Sequence, residues 1–180
     1  MHTLIVGRNG SHMSELLDRL LLVCARDMPL RGYRSVKEAP DETGSAPIYM
    51  YPASGERTRG EENLLGWCRN EDKQIEPGNL DRFAYLIDDA PGCVILMDEI
   101  GTMETHSKRF ADAILARLDG DTPVLAAVRD KDTPFLNAVR THRNVRCFFM
   151  KDGEEAVFRS SSAFFGSQLE RYREDRHVSV

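Results

Sequence analysis

An apolar run that ends abruptly in two carboxylates, Val94-Ile95-Leu96-Met97-Asp98-Glu99, constrains this chain more than any other feature. The run is too short to cross a bilayer, which predicts a strand buried on both faces of a parallel sheet. In open α/β sheets ligands bind outside the carboxyl ends of the strands. Asp98 and Glu99 fall at that end. There a first carboxylate can organise Mg²⁺ and a second can orient or deprotonate a water. The same pair also fits a strand end that simply meets water, with Asp98 capping a turn and Glu99 solvated.

The start of the chain supplies the second constraint. Residues 2–6 read as a buried strand, and residues 15–26 as a helix with Leu16, Leu17, Leu20, Leu21 and Cys24 on one face. Between them lies Gly7-Arg8-Asn9-Gly10-Ser11-His12-Met13-Ser14. Strand, Gly-bearing loop and helix form the setting of a phosphate-binding loop, and G-x-x-x-x-G-K-[ST] has the length of Gly7 to Ser14. Gly7 and Ser14 match, and Gly10 adds a glycine. His12 stands where the second glycine belongs, and Met13 where the lysine belongs. A non-glycine residue held in a left-handed conformation costs roughly 1–2 kcal/mol. Methionine brings no charge to a phosphate. Backbone N–H groups at a helix start still attract an anion, and Ser14 can still reach a metal ion.

The chain of 180 residues suits one domain. Its net charge of −5 argues against a nucleic-acid or anionic-membrane partner. No stretch has the length of a membrane span, and residues 1–6 do not read as a signal peptide. Cys24, Cys68, Cys93 and Cys147 are scattered, which reads as free thiols in a reducing cytoplasm.

Residues 29–60 read as a β-hairpin followed by a polar, mobile loop. Leu64–Cys68 reads as an apolar island packed on the sheet edge. Asn79 is the expected cap of a helix bearing Leu80, Phe83 and Ile87. A second helix is expected over 105–118, with Phe110, Ala113, Ile114 and Leu118 inward. Residues 123–128 and 145–150 read as strands, joined by a short helix opened by Thr133-Pro134. Alternating strands and helices predict a parallel sheet. Residues 151–180 read as a helical tail with an aromatic face, packed on the domain of residues 1–150 or on a protein partner.

Asp98-Glu99-Ile100-Gly101, Met103-Glu104, Ser107-Lys108-Arg109-Phe110 and Pro123-Val124-Leu125-Ala126, together with the loop at Gly7, resemble the small P-loop nucleoside-triphosphatases related to nucleotide kinases. The resemblance covers roughly residues 1–150. It implies a RecA-like, three-layer α/β P-loop fold with a mainly parallel central sheet, and Mg²⁺-dependent hydrolysis of nucleoside triphosphates. Carried over, Gly7, Gly10 and Ser14 belong to the phosphate loop, Asp98 holds Mg²⁺ as a Walker-B carboxylate, and Glu99 positions the attacking water. His12 and Met13 depart from the family's Walker A motif. The expectation is a protein whose hold on a nucleoside triphosphate or other anion, and its hydrolysis, are weak or lost. An alternative keeps activity by a replacement cation, for which Lys108, Arg109 and Arg129 are candidates. A nucleotide or small-molecule kinase is a further alternative on the shared fold.

Overall fold

The computed structural model describes residues 1–8, 11–69, 72–75 and 78–177. The chain runs through β1 (His2–Gly7), α1 (Met13–Cys24), β2 (Leu30–Lys37), β3 (Ser45–Pro52), β4 (Leu64–Arg69) and β5 (Asp72–Ile75). After a 3-10 helix, Asp81–Ile87, come β6 (Val94–Ile100), a 3-10 turn Met103–His106, α2 (Lys108–Asp119), β7 (Val124–Arg129), α3 (Pro134–Arg140), β8 (Val145–Phe149) and α4 (Glu154–His177).

The strands form one sheet in the order β5-β4-β3-β2-β6-β7-β1-β8. From β2 to β8 every neighbour is parallel; β3, β4 and β5 extend the edge in antiparallel pairings. Side chains that alternate along a strand point to opposite faces. Leu4, Val6, Ile95, Met97, Ala126 and Val128 therefore pack with Phe110, Ile114 and Leu118 of α2. Ile5, Val94, Leu96, Leu125 and Ala127 pack on the other face with Leu16, Leu17 and Leu20 of α1 and Phe165 and Leu169 of α4. Two helical layers thus sandwich the sheet, the three-layer α/β architecture that the alternation of strands and helices predicts.

One glycine is essential to the parallel pairing of β2 and β6. Gly32 lies opposite Leu96 with φ +106°, and a Cβ there would sit 1.9 Å from the Leu96 carbonyl oxygen.

Several local expectations are corrected. Residues 64–68 are a paired strand rather than an island, and β5 follows it. Asn79 caps no helix: its side-chain amide donates to the Leu65 carbonyl at 3.1 Å, and the segment after it is a 3-10 helix preceded by Leu80. The second long helix starts at Lys108 rather than 105. Ser107 takes its cap, accepting from the Phe110 N–H at 3.0 Å, because Met103–His106 has already wound into a separate turn.

Candidate functional site

The parallel register gathers the site at the carboxyl ends of four strands. Gly7 ends β1 opposite Arg129 of β7, and Arg34 of β2 lies opposite Asp98 of β6. Between Met97 and Ile100, β6 takes one residue more than β7, a bulge that falls on Asp98 and Glu99. Bulges of this kind re-aim side chains at strand ends.

Asp98 is almost fully buried and accepts two hydrogen bonds. Ser14 Oγ donates to Oδ1 at 2.8 Å, and Arg34 Nη1 donates to Oδ2 at 2.9 Å. Arg34 reaches on to Asp18 of α1, so one guanidinium ties β6 to the first helix. Burial raises the Asp98 carboxyl above its ordinary range, and the contacts from Ser14 and Arg34 offset only part of that. Glu99 is half-buried and forms an ion pair through Oε1 with Arg129 Nε. Burial raises its carboxyl as well, against the pull of Arg129. Since Oε1 has no aligned hydrogen bond, the contact is chiefly one of charge.

Behind this pair lies Glu104, fully buried, whose Oε2 accepts the Gly101 N–H at 2.7 Å. Burial pushes its carboxyl up to about 7. The contact fixes the backbone immediately after Glu99. The Met-Glu pair after the strand was the sequence signal for it. Arg34 was not anticipated; the signal was an arginine inside a strand otherwise flanked by buried residues.

The loop at the start of α1 takes the conformation that the sequence makes costly. His12 has φ 52° and ψ 33°, a left-handed backbone, and its side chain makes no cap bond to the helix. The imidazole turns outward toward Glu15 at 3.5 Å. Ser11 closes the turn below it, its hydroxyl donating to the Arg8 carbonyl at 2.6 Å. Met13 is 7% exposed and joins the core with Ile5, Leu16 and Leu17. Its sulfur lies 2.9 Å from where a Cβ on Gly7 would be. Met13 is thus an apolar plug beneath the loop.

A cavity of about 300 Å³ opens above these groups, lined by Arg8, His12, Ser14, Asp98, Glu99 and Arg129 among others. Gly7, Arg8, Ser11, His12, Met13, Ser14, Asp98, Glu99 and Arg129 are therefore brought together. Asn9 and Gly10 lie outside the described residues. Lys108 and Arg109 do not join the site: both are exposed, and Lys108 pairs with Asp112 one turn along α2 at 2.5 Å.

Comparison with known proteins gives a consistent picture. A model of the NTPase family matches residues 2–158. The nucleoside-triphosphatase THEP1 of Thermofilum pendens is 47% identical over 38 residues, a stretch spanning 21% of this chain and 21% of that relative. The crystal structure of THEP1 from the hyperthermophile Aquifex aeolicus superposes with a TM-score of 0.57 at 16% identity, covering 89% of this chain and 96% of that one. The solution structure of a human cancer-related nucleoside triphosphatase gives 0.62 at 18% identity, covering 92% and 97%. The two structures share the fold, and the family match spans most of the chain: this protein belongs to the NTPase family of small P-loop nucleoside-triphosphatases.

Proposed function

We propose that this chain is a P-loop nucleoside-triphosphate-binding protein whose Walker A motif is degenerate, so that nucleotide binding and hydrolysis are weak or lost. The observation that carries the reading is the burial of Met13 in place of a lysine. Phosphoryl transfer relies on electrostatic stabilisation of the phosphates, and a buried thioether supplies none. The exposed imidazole of His12 further occupies the rim where glycine would let phosphate approach backbone N–H groups.

The donor chemistry nevertheless fits Mg²⁺. Ser14 and Asp98 offer hard oxygen atoms side by side, and Mg²⁺ commonly uses one or two such groups with waters and substrate phosphates. Among the described residues no three His, Cys, Asp or Glu side chains cluster as a metal cage. When bound, Mg²⁺ would neutralise phosphate charge. Ser14 and Asp98 would hold it, and Glu99 would orient a water. No described helix is long and apolar enough to cross a membrane, and the four free thiols fit the cytoplasm.

Calorimetric titration with ATP and GTP, with and without Mg²⁺, tests the reading. The expected result is no saturable binding by the natural chain and Mg²⁺-dependent binding by the double variant His12→Gly, Met13→Lys. Micromolar, Mg²⁺-dependent binding by the natural chain overturns it. It would favour a second reading, active hydrolysis with Arg129 as replacement cation, for which the position of Arg129 on the cavity wall beside Glu99 speaks. Mg²⁺-dependent turnover removed by Arg129→Ala is the mark of that alternative.

A further inference from the structure

The wall made by Glu99 and Arg129 has two sides. One faces the loop cavity. The other lines a separate cleft of about 400 Å³ toward the antiparallel strands. Lys37 at the end of β2, Lys73 on β5 and Lys131 just beyond β7 line that cleft with Arg129. Against these four cations the described lining sets two carboxylates, Asp72 and Glu99. The chain carries a net −5, so the cleft reverses the sign of the molecule.

Among the described residues, Lys37, Lys73 and Lys131 have no ion-pair or hydrogen-bond partner. Such isolation is ordinary for the two exposed lysines. It is not ordinary for Lys73, which is partly buried: burial pushes its ammonium down in pKa, and the charges of Glu104 and Glu99 offset only part of that. A charge withdrawn from water without a direct contact to an opposite charge is unfavourable, and an anion brought beside it reduces the penalty. Ile48, Cys68 and Met103 are buried in the same lining and give the cleft an apolar part.

We propose that this cleft is a second anion site, which takes a small molecule bearing a phosphate group and a compact apolar or ring portion. A phosphate monoester offers several oxygens to several cations at once, whereas a carboxylate offers two. The apolar lining selects an ester over the bare ion. Gly7, His12 and Met13 do not line this cleft, and Lys37, Lys73 and Lys131 do not line the loop cavity, so the three lysines are available whether or not the loop binds a nucleotide.

Titration of the full chain with phenyl phosphate and with inorganic phosphate, both without Mg²⁺ at low salt, tests the proposal. Phenyl phosphate is expected to bind saturably and several-fold more tightly than inorganic phosphate. Lys73→Met and Lys131→Met are each expected to weaken it by roughly fivefold or more, the scale of one lost charge contact in a partly screened site. His12→Glu, which places a negative charge in the loop cavity, is expected to change the affinity by less than about twofold. Lys131 is exposed, so its substitution leaves folding intact and keeps the test valid if Lys73→Met is unstable. Three results overturn the proposal: no saturable binding at millimolar probe, equal affinity for both probes, or weakening by His12→Glu without weakening by Lys131→Met. The nucleotide titrations are read separately, so failure of one reading does not mask failure of the other.

Discussion

Ser14 donates its hydroxyl to Asp98 Oδ1 at 2.8 Å, joining the first helix of the chain to the strand that carries the two carboxylates. Arg34 takes the other oxygen of the same carboxylate. Removing Ser14's hydroxyl deletes one hydrogen bond to a charged acceptor. Removing the carboxylate leaves a buried guanidinium with Asp18 as its remaining partner. In urea denaturation, Ser14→Ala is expected to cost about 1.5 kcal/mol. Asp98→Ala is expected to cost roughly 3 kcal/mol or more, because breaking a buried ion pair from one side leaves the other charge uncompensated. Equal costs would mean that Arg34 is satisfied without Asp98.

The backbone at His12 leads to a gain rather than a loss. Its φ of 52° belongs to glycine's range, and its side chain is exposed without capping α1. His12→Gly relieves the left-handed conformation at some cost in unfolded-chain entropy, for a net stabilisation of about 1 kcal/mol. A raised urea midpoint at unchanged slope is the expected reading.

At Gly32 the sign reverses. The Leu96 carbonyl oxygen lies where a Cβ would go, and φ is +106°. Since the obstacle is the backbone of a central strand, it cannot swing aside as a side chain would. Gly32→Ala is expected to cost more than about 3 kcal/mol or to prevent folding. A folded variant with near-normal stability would show that β2 and β6 can separate freely.

His2 sets a pH dependence. Nδ1 accepts the Val124 N–H at 3.2 Å, and Nε2 faces the Leu118 carbonyl at 3.1 Å, a pattern that requires the neutral ring. Burial lowers its pKa to about 4, from 6.5. The unfolded chain therefore binds this proton first as pH falls. The contribution of His2 to stability is intact above pH 6.5 and is lost progressively down to about pH 4, by roughly 3 kcal/mol in all. Denaturation of the natural chain and of His2→Gln between pH 7 and 4.5 is expected to show a shallower decline in the variant.

The parallel half of the molecule was legible because its strands are continuous apolar runs that only a doubly covered sheet explains. Val94–Met97 and Pro123–Val128 were readable for that reason, and so was the loop that begins at Gly7. The antiparallel edge was not. Asp72-Lys73-Gln74-Ile75 has no strand signature, and its pairing comes from β4 rather than from its own residues. Gly66 breaks the apolar pattern of β4 because the Gln74 carbonyl comes within 2.1 Å of its Cβ position. In the site, Asp98, Glu99 and Ser14 could be named from spacing. Arg34 could not, since its place beside Asp98 depends on which strand neighbours β6. Lys108 and Arg109 had the right charge but the wrong side of a helix.

The burial of Met13 has a consequence for any charge introduced at its position. Where a lysine head would reach up toward a phosphate, a thioether is packed down among Ile5, Leu16 and Leu17. Reversal of that single position would remove about 2 kcal/mol of apolar burial before any ligand arrived to compensate. A lysine at position 13 thus has to lift its charged end out of this packing, and the interior opposes it. Met13→Lys alone therefore starts from a deficit in stability, which the relief expected from His12→Gly offsets in the double variant.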